Sequence, residues 1–204
     1  MPGTIGRMIV MPQLLDFREQ YADIDLAVGF GDKLVDLIQE GVDCAIRVGK
    51  LEDSSLVARK LGALQTLTAA SPAYIERYGK PKCIEELHQH LAVHYFSSRT
   101  GHVLDMTFVD NSKTTEIKLR GAIAVNDAEA YVTCGLRGVG IIQSPRLMLI
   151  PHLRSGALVE VLPQCKPRAM PISAVYPHSR HLAPKTRLFF EWTVQPFENC
   201  PLIC

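Results

Sequence analysis

Residues 29–61 read GFGDKLVDLIQEGVDCAIRVGKLEDSSLVARKL, and the succession of turn, helix, strand, loop and strand in that run sets the fold class. Asp32 stands where a helix N-cap belongs, and Leu34, Leu37 and Ile38 follow at the spacing of one apolar helix face. Gly41 is placed to end that helix, because glycine enters the left-handed region without a Cβ clash. Cys44-Ala45-Ile46-Arg47-Val48 then sets four apolar residues around one arginine, the pattern of a buried strand. Asp53-Ser54-Ser55 breaks the run before Leu56-Val57-Ala58 resumes it.

The alternation continues in both directions. Upstream, Pro2-Gly3-Thr4-Ile5-Gly6 reads as a loop with Thr4 available as a cap. Helical spacing runs on through Met8, Met11, Leu15 and Phe17, with a kink or late start at Pro12. Residues 24–30 predict a short strand. Downstream, residues 64–70 predict another, and Ser71-Pro72 opens a helix that Gly79 ends. A short helix over 81–87, a strand over 91–96 and a loop over 97–101 follow. Residues 104–109 and 114–119 flank Asp110-Asn111-Ser112-Lys113 as a hairpin. Asn126-Asp127 is an N-cap pair opening a helix to about Leu136, and Ser144-Pro145 repeats the cap-plus-proline start. Strands are expected over 138–142, 158–162 and 172–176, and Pro184 opens a last amphipathic helix through Leu188, Phe189 and Trp192. If each strand–helix pair feeds the next strand, the architecture is α/β with a mainly parallel sheet.

A chain of 204 residues can bury a substantial core, as one domain or two small lobes. Lys+Arg 22 against Asp+Glu 21 leaves a net charge of +1, without the basic excess of a lone nucleic-acid reader. No stretch approaches the roughly 20 apolar residues of a membrane span, and the N-terminus lacks a signal-peptide core, so a cytoplasmic chain is expected. The six cysteines are scattered through a chain too large to depend on disulfides. Cys44 and Cys134 read as buried thiols, and residues 200–204 as a disordered tail. His90 and His94 stand four apart, but a strand over 91–96 would separate their rings, leaving surface and loop histidines. Gly29-Phe30-Gly31 falls short of a dinucleotide fingerprint, with Leu34 at the third glycine position. Gly135-Leu136-Arg137-Gly138-Val139-Gly140 closes a helix instead of opening one, and no nucleophile elbow or phosphate-binding loop is present. The expectation is no catalytic residue, no metal and no cofactor.

The run DKLVDLIQEGVDCAIRVGKLEDSSLVARKLG resembles the effector-binding domain of LysR-type transcriptional regulators. ASPAYIERYGKP, AVNDAEAY, GLRGVGI, SGALVEVLP and YPHSRHLAPKTRLFFEW follow in that family's order, across residues 2 to about 197. The resemblance implies a two-lobed α/β fold of the type 2 periplasmic-binding-protein kind, with mixed sheets flanked by helices. One lobe would be residues 1–69 plus 173–204 and the other 70–172, with a small ligand in the cleft between them. It also implies a carboxylate or aromatic effector that is sensed and not transformed, and self-association to a dimer or tetramer. DNA would be bound only through an N-terminal winged helix-turn-helix, absent from these residues. That family's effector domain opens with a strand ahead of the Pro-Gly-Thr-Ile-Gly loop. The chain is therefore expected to be a fragment or to carry a misassigned start, with two strand edges unpaired. Two rival readings use the same fold: a transporter's solute-binding protein and an α/β enzyme working in the cleft.

By the same resemblance Thr4 would hydrogen-bond the effector, although an ordinary helix cap explains it equally. Gly31 and Asp32 resemble the cleft edge, and capping alone also accounts for Asp32. Arg47 either holds an effector carboxylate or pairs with Asp43 or Asp53, since a charge inside an apolar strand needs a partner. Phe96, Ser97 and Ser98 end a strand from which hydroxyls can reach the cleft, or form a solvated loop. Asn126 and Asp127 open a helix whose free N–H groups would face it.

Overall fold

The computed structural model describes residues 1–31, 36–51, 55–98, 100–110, 113–178 and 183–203, apart from the side chain of Asp110. Its strands are β1 (Ala45–Val48), β2 (Leu56–Leu64), β3 (Thr66–Ala70), β4 (His94–Phe96), β5 (Val103–Leu104) and β6 (Met106–Asp110). They continue with β7 (Lys113–Ile117), β8 (Ala124–Val125), β9 (Ile142–Pro145), β10 (Val159–Glu160), β11 (Lys166–Pro167) and β12 (Met170–Pro177). The helices are α1 (Gly3–Ile5), α2 (Leu14–Gln20), α3 (Pro72–Tyr78), α4 (Ala128–Leu136), α5 (Arg146–Arg154), α6 (Pro184–Trp192) and α7 (Gln195–Glu198). Two compact units result, Met1–Leu64 with Met170–Cys204, and Gln65–Ala169.

The first unit is built on the antiparallel sheet β1-β12-β2. Its central strand comes from the far end of the chain and pairs along its whole length, Met170 opposite Leu64 through Pro177 opposite Leu56. Ile172, Ala174 and Val175 of that strand are buried with Ile46, Leu61 and Leu64. A bulge lies where Ile172 faces Gly62 and Ser173 faces Lys60, and Gly62 takes φ +136° there. Phe17 is fully buried, with its ring centroid 5.1 Å from Trp192 and 5.2 Å, edge-on, from Phe189.

The second unit carries the sheets β10-β3-β9, β11-β6-β7 and β5-β4-β8. Its parallel pairings run along residues 91–96: Leu91 bridges Arg120, Ala92 bridges Ile141, and β4 pairs β8. Tyr74 pins the entry to this segment. Its hydroxyl accepts the Leu91 N–H at 2.8 Å and lies 3.2 Å from both the Leu91 carbonyl and His90 Nδ1. Ser71 caps α3 through the Tyr74 N–H at 3.2 Å, with Pro72 in the first turn and Gly79 after the last.

Several expectations change. Pairing is mainly antiparallel and not mainly parallel, with β5-β4-β8 the mixed sheet among the described residues, because β2 runs into β3 without a helix, β6 pairs back onto β7, and β12 returns antiparallel to both neighbours. The units divide at Leu64/Gln65 and Ala169/Met170, where residues 69/70 and 172/173 were expected. The reason is that β3 is bonded on both edges to β9 and β10, and β12 pairs from Met170 onward. Residues 24–30 form no strand; their bonds at Gly29 and Gly31 go to Met1. The stripe Met8, Met11, Leu15 faces outward, while Ile5, Ile9, Val10 and Phe17 are buried. A π-helical segment, Gly6–Val10, precedes a 3-10 turn at Pro12, and its wider turn rotates the apolar face away from the 3.6-residue expectation. Pro145, not Ser144, is the N-cap of α5, since Ser144 is spent in β9 opposite Leu67. The C-terminus is no loose tail: Ile203 bridges Leu64. His90 is not a surface histidine but a buried one.

Among the described residues Thr66 Oγ1 is buried without a hydrogen-bond partner. Thr66→Val keeps the shape and removes the stranded hydroxyl, so it should raise the unfolding free energy by about 1 kcal/mol, read as a higher urea midpoint at unchanged slope. A lower midpoint would reveal a partner for the hydroxyl. His90 is held below its ordinary value of 6.5 by burial, with Glu86 opposing. The unfolded chain therefore takes up this proton first, and stability should fall as pH drops below 6.5 toward the lower folded value. Thermal melts from pH 8 to 5, at about one-unit steps, should flatten in His90→Gln over that window.

Candidate functional site

The parallel register Tyr95 opposite Val125 sets the carboxyl ends of β4 and β8 side by side, the edge where α/β sheets place their ligands. Both strands then break into polar turns. After β4, Ser97 N–H donates to His102 O at 2.9 Å and Gly101 N–H to Ser97 O at 2.8 Å, with Gly101 at φ +70°. After β8, Asp127 caps α4 by accepting the Ala130 N–H on Oδ1 at 2.8 Å.

Cross-links join the two turns. Asn126 Nδ2 donates to Ser98 Oγ at 3.1 Å, and Tyr95 Oη–H donates to the Asn126 carbonyl at 3.0 Å. Ser98, Asn126 and Asp127 are exposed, whereas Phe96 and Ser97 are half-buried. The structure thus gathers five of the expected residues into one polar edge of the second unit, offering hydroxyl, amide and carboxylate groups.

Tyr95 and Tyr131 escaped the sequence reading. Tyr131 meets Tyr95 edge-on at 5.6 Å, and its hydroxyl accepts the Gln143 N–H at 3.1 Å. Burial pushes the Tyr131 phenol up to about 12, so it stays neutral as a hydrogen-bonding group. Gln143 extends the support: Oε1 accepts the Thr107 N–H at 3.0 Å and Nε2 donates to Thr68 Oγ1 at 3.2 Å. The signal for Tyr95 was the tyrosine preceding Phe96 at the strand's end; nothing local marked Gln143. A crevice touching Tyr131, His94 and Asp105 holds at most about one water molecule, far below the roughly 300–1,000 Å³ of small-molecule pockets.

In the first unit, Thr4 lies inside the first turn of α1, whose N-cap is Pro2 without a side-chain bond, so Thr4 does not cap. The Gly31 N–H is taken by Met1 O at 2.9 Å. Asp32 lies outside the described residues; Asp36 Oδ1 instead accepts the N–H groups of Ile38 and Gln39 at 3.0 and 3.1 Å. Arg47 sits on β1 opposite Ser173 and is half-buried, not the fully buried charge its apolar neighbours suggested. Burial, then the Asp43 charge, pushes the half-buried Cys44 thiol up to about 11, leaving it an unreactive thiol near neutrality.

Among the described residues no group of three His, Cys, Asp or Glu is placed to hold a metal, and no helix is long and apolar enough to cross a membrane.

Residues 1–197 match the LysR substrate binding domain. An HTH-type transcriptional regulator of Escherichia coli, YhjC, is 36% identical over 191 residues, covering 94% of this chain and 64% of its own length. An HTH-type transcriptional repressor of Pseudomonas aeruginosa is 30% identical over 200 residues, covering 98% of this chain and 63% of its own. Less than two thirds of either relative is therefore spanned. Among solved structures, the regulatory domain of CrgA from Neisseria meningitidis superposes with a TM-score of 0.78 at 25% identity, over 96% of this chain and 95% of that one.

The Asp127 cap gives a local test. Asp127→Ala should cost about 1 kcal/mol in unfolding free energy, and Asp127→Asn only a few tenths, because either oxygen can accept the Ala130 N–H. Equal losses would mean that the charge, not the cap, matters.

Proposed function

The chain belongs to the LysR substrate binding domain family, and on that premise we propose that it senses a small organic effector for a bacterial transcription regulator. The observation that carries the proposal is the joined turn pair after β4 and β8, where Ser98, Asn126 and Asp127 are exposed and cross-linked. Such an edge recognises a hydroxyl or carboxylate group by hydrogen bonds and supplies no nucleophile–base pair. Thr4, Gly31, Asp32, Arg47, Phe96 and Ser97 complete the proposed effector contacts. The effector moves the regulator's conformational equilibrium only by its difference in affinity for the two states. DNA contact is assigned to a helix-turn-helix outside the matched span, and the place of action to the cytoplasm.

Self-association is proposed through the outward stripe Met8, Met11 and Leu15, where Leu15 is 71% exposed. The transporter reading loses to the relatives, which are transcriptional regulators. The enzyme reading would return if a turnover were found that Arg47→Ala or Asp127→Ala abolished.

A thermal-shift screen against small carboxylates and aromatics is expected to yield at least one compound that raises the melting temperature. A ligand at about 100 times its Kd adds about 2.7 kcal/mol. Asn126→Ala should weaken that shift without lowering the unliganded melt by more than a few degrees; a shift unchanged in Asn126→Ala and Ser98→Ala would remove the turn pair from the site. Leu15→Glu should lower the sedimenting mass of the associated species, and an unchanged distribution would clear the stripe of this role.

A further inference from the structure

Among the described residues, nothing pairs with the far edge of β7. It is the terminal strand of β11-β6-β7, no isolated bridge reaches it, and Lys113, Thr114, Thr115 and Glu116 are all exposed. Residue pairs along an antiparallel ladder alternate between those that exchange both N–H···O bonds and those that exchange none. The Thr107 N–H is given to Gln143 Oε1 at 3.0 Å, so Thr107–Glu116 is a pair that exchanges none, and Val109–Thr114 is the next of its kind. The N–H and C=O groups of Thr114 and Glu116 therefore point away from β6, to the uncovered edge. Proline and bulges blunt such edges, and β7 has neither: its register with β6 runs unbroken from Lys113 to Ile117.

The occupant that fits this edge is the same strand. Two copies related by a twofold axis through the sheet keep their buried faces on one side when residues of equal parity stand opposite. With Thr115 on the axis, Thr114 faces Glu116 of the second copy, and each such pair exchanges both main-chain bonds through the groups that point outward. Each Thr114 hydroxyl then lies beside a Glu116 carboxylate, and the Thr115 side chains meet at the axis, cross-strand pairs that stabilise. Sliding the pairing one step of equal parity toward the strand's end sets Glu116 against Glu116, like charges that repel. The step the other way sets Thr114 against Thr114 and leaves Glu116 without a partner inside β7.

We infer that β7 is a self-association edge, pairing antiparallel with β7 of a second copy about Thr115 and joining two β11-β6-β7 sheets into one. The inference draws nothing from effector sensing, and it concerns the second unit, whereas the Met8, Met11 and Leu15 stripe belongs to the first. Two strands of this length bury less than the roughly 1,200 Å² of a stable specific interface, so the contact is weak and works between copies held close together.

Cysteine trapping reads the register. Thr115→Cys faces its own kind with Cβ atoms about 4.5–5.5 Å apart, near disulfide reach, whereas Thr114→Cys and Glu116→Cys have theirs about 7–8 Å off on the diagonal. Oxidised glutathione added to the 204-residue chain should link Thr115→Cys into a dimer at least about fivefold above those two variants and the wild type, whose own cysteines set the background. Peptide mass should place the link at position 115 in both copies. Adding Thr114→Lys, which sets a cation opposite each Glu116, should raise the yield about threefold. Glu116→Pro removes an outward N–H and spares the bonds to β6, so it should abolish the link with the melt little changed. Should that variant not fold, Glu116→Lys, which takes the carboxylate from Thr114, should lower the yield in its place. Linking at 115 no stronger than at 114 or 116 would refute the pairing. So would a yield that Thr114→Lys does not raise, or one that Glu116→Pro, or Glu116→Lys in its place, leaves intact.

Discussion

The return of Met170–Pro177 to the middle of the first unit's sheet is the constraint on which the rest depends. β12 supplies the hydrogen-bond partners of β1 on one edge and β2 on the other, over a sequence separation of more than a hundred residues. Without it both edges would present unpaired N–H and C=O groups, and the buried faces of Ile46 and Leu64 would lose Ile172, Ala174 and Val175. The second unit is by contrast continuous in sequence, Gln65–Ala169, and can close its own ladders. Long-range pairing of this kind pays its loop-closure entropy before any contact rewards it, so the first unit is the slow one to assemble.

That arrangement also explains where chemistry is available. In the second unit the parallel pairing of residues 91–96 with 120–125 brings two strand ends to one edge, and the turns that follow must satisfy their own backbone groups. Ser97 and Asp127 do so by accepting the Thr100 and Ala130 N–H groups, which leaves Ser98 and Asn126 exposed on a scaffold stiffened by Tyr95, Tyr131 and Gln143. Rigidity below and polarity above suit recognition.

Glycines make the complementary contribution at close approaches. Gly121 has the Ala92 carbonyl where its Cβ would be, at 2.1 Å, and Gly6 has the Phe30 ring. Each lets one segment lie directly on another, and each would have passed as an ordinary loop or helix glycine without coordinates.

The sequence by itself determined the features whose cause is local. Ser71-Pro72 and Asp127 cap their helices, Gly79 ends α3 at positive φ, and β6 pairs back onto β7, because each depends on residues a few positions away; Gly41 also takes positive φ, but residues 37–41 form turns and not the expected helix. The polar edge was legible to the same extent: Ser98 and Asn126 could be named as candidates, but not as partners. Only the tertiary structure decided the rest. β2 extends past Ala58 to Leu64 because β12 is there to pair with it, and residues 24–30 stay out of any strand because their described backbone bonds go to Tyr21, Arg18 and Met1. Ser144 is a ladder residue and not a cap because Leu67 faces it. Periodicity records which face is apolar, whereas a hydrogen bond to a distant strand leaves no mark on the residues that will make it.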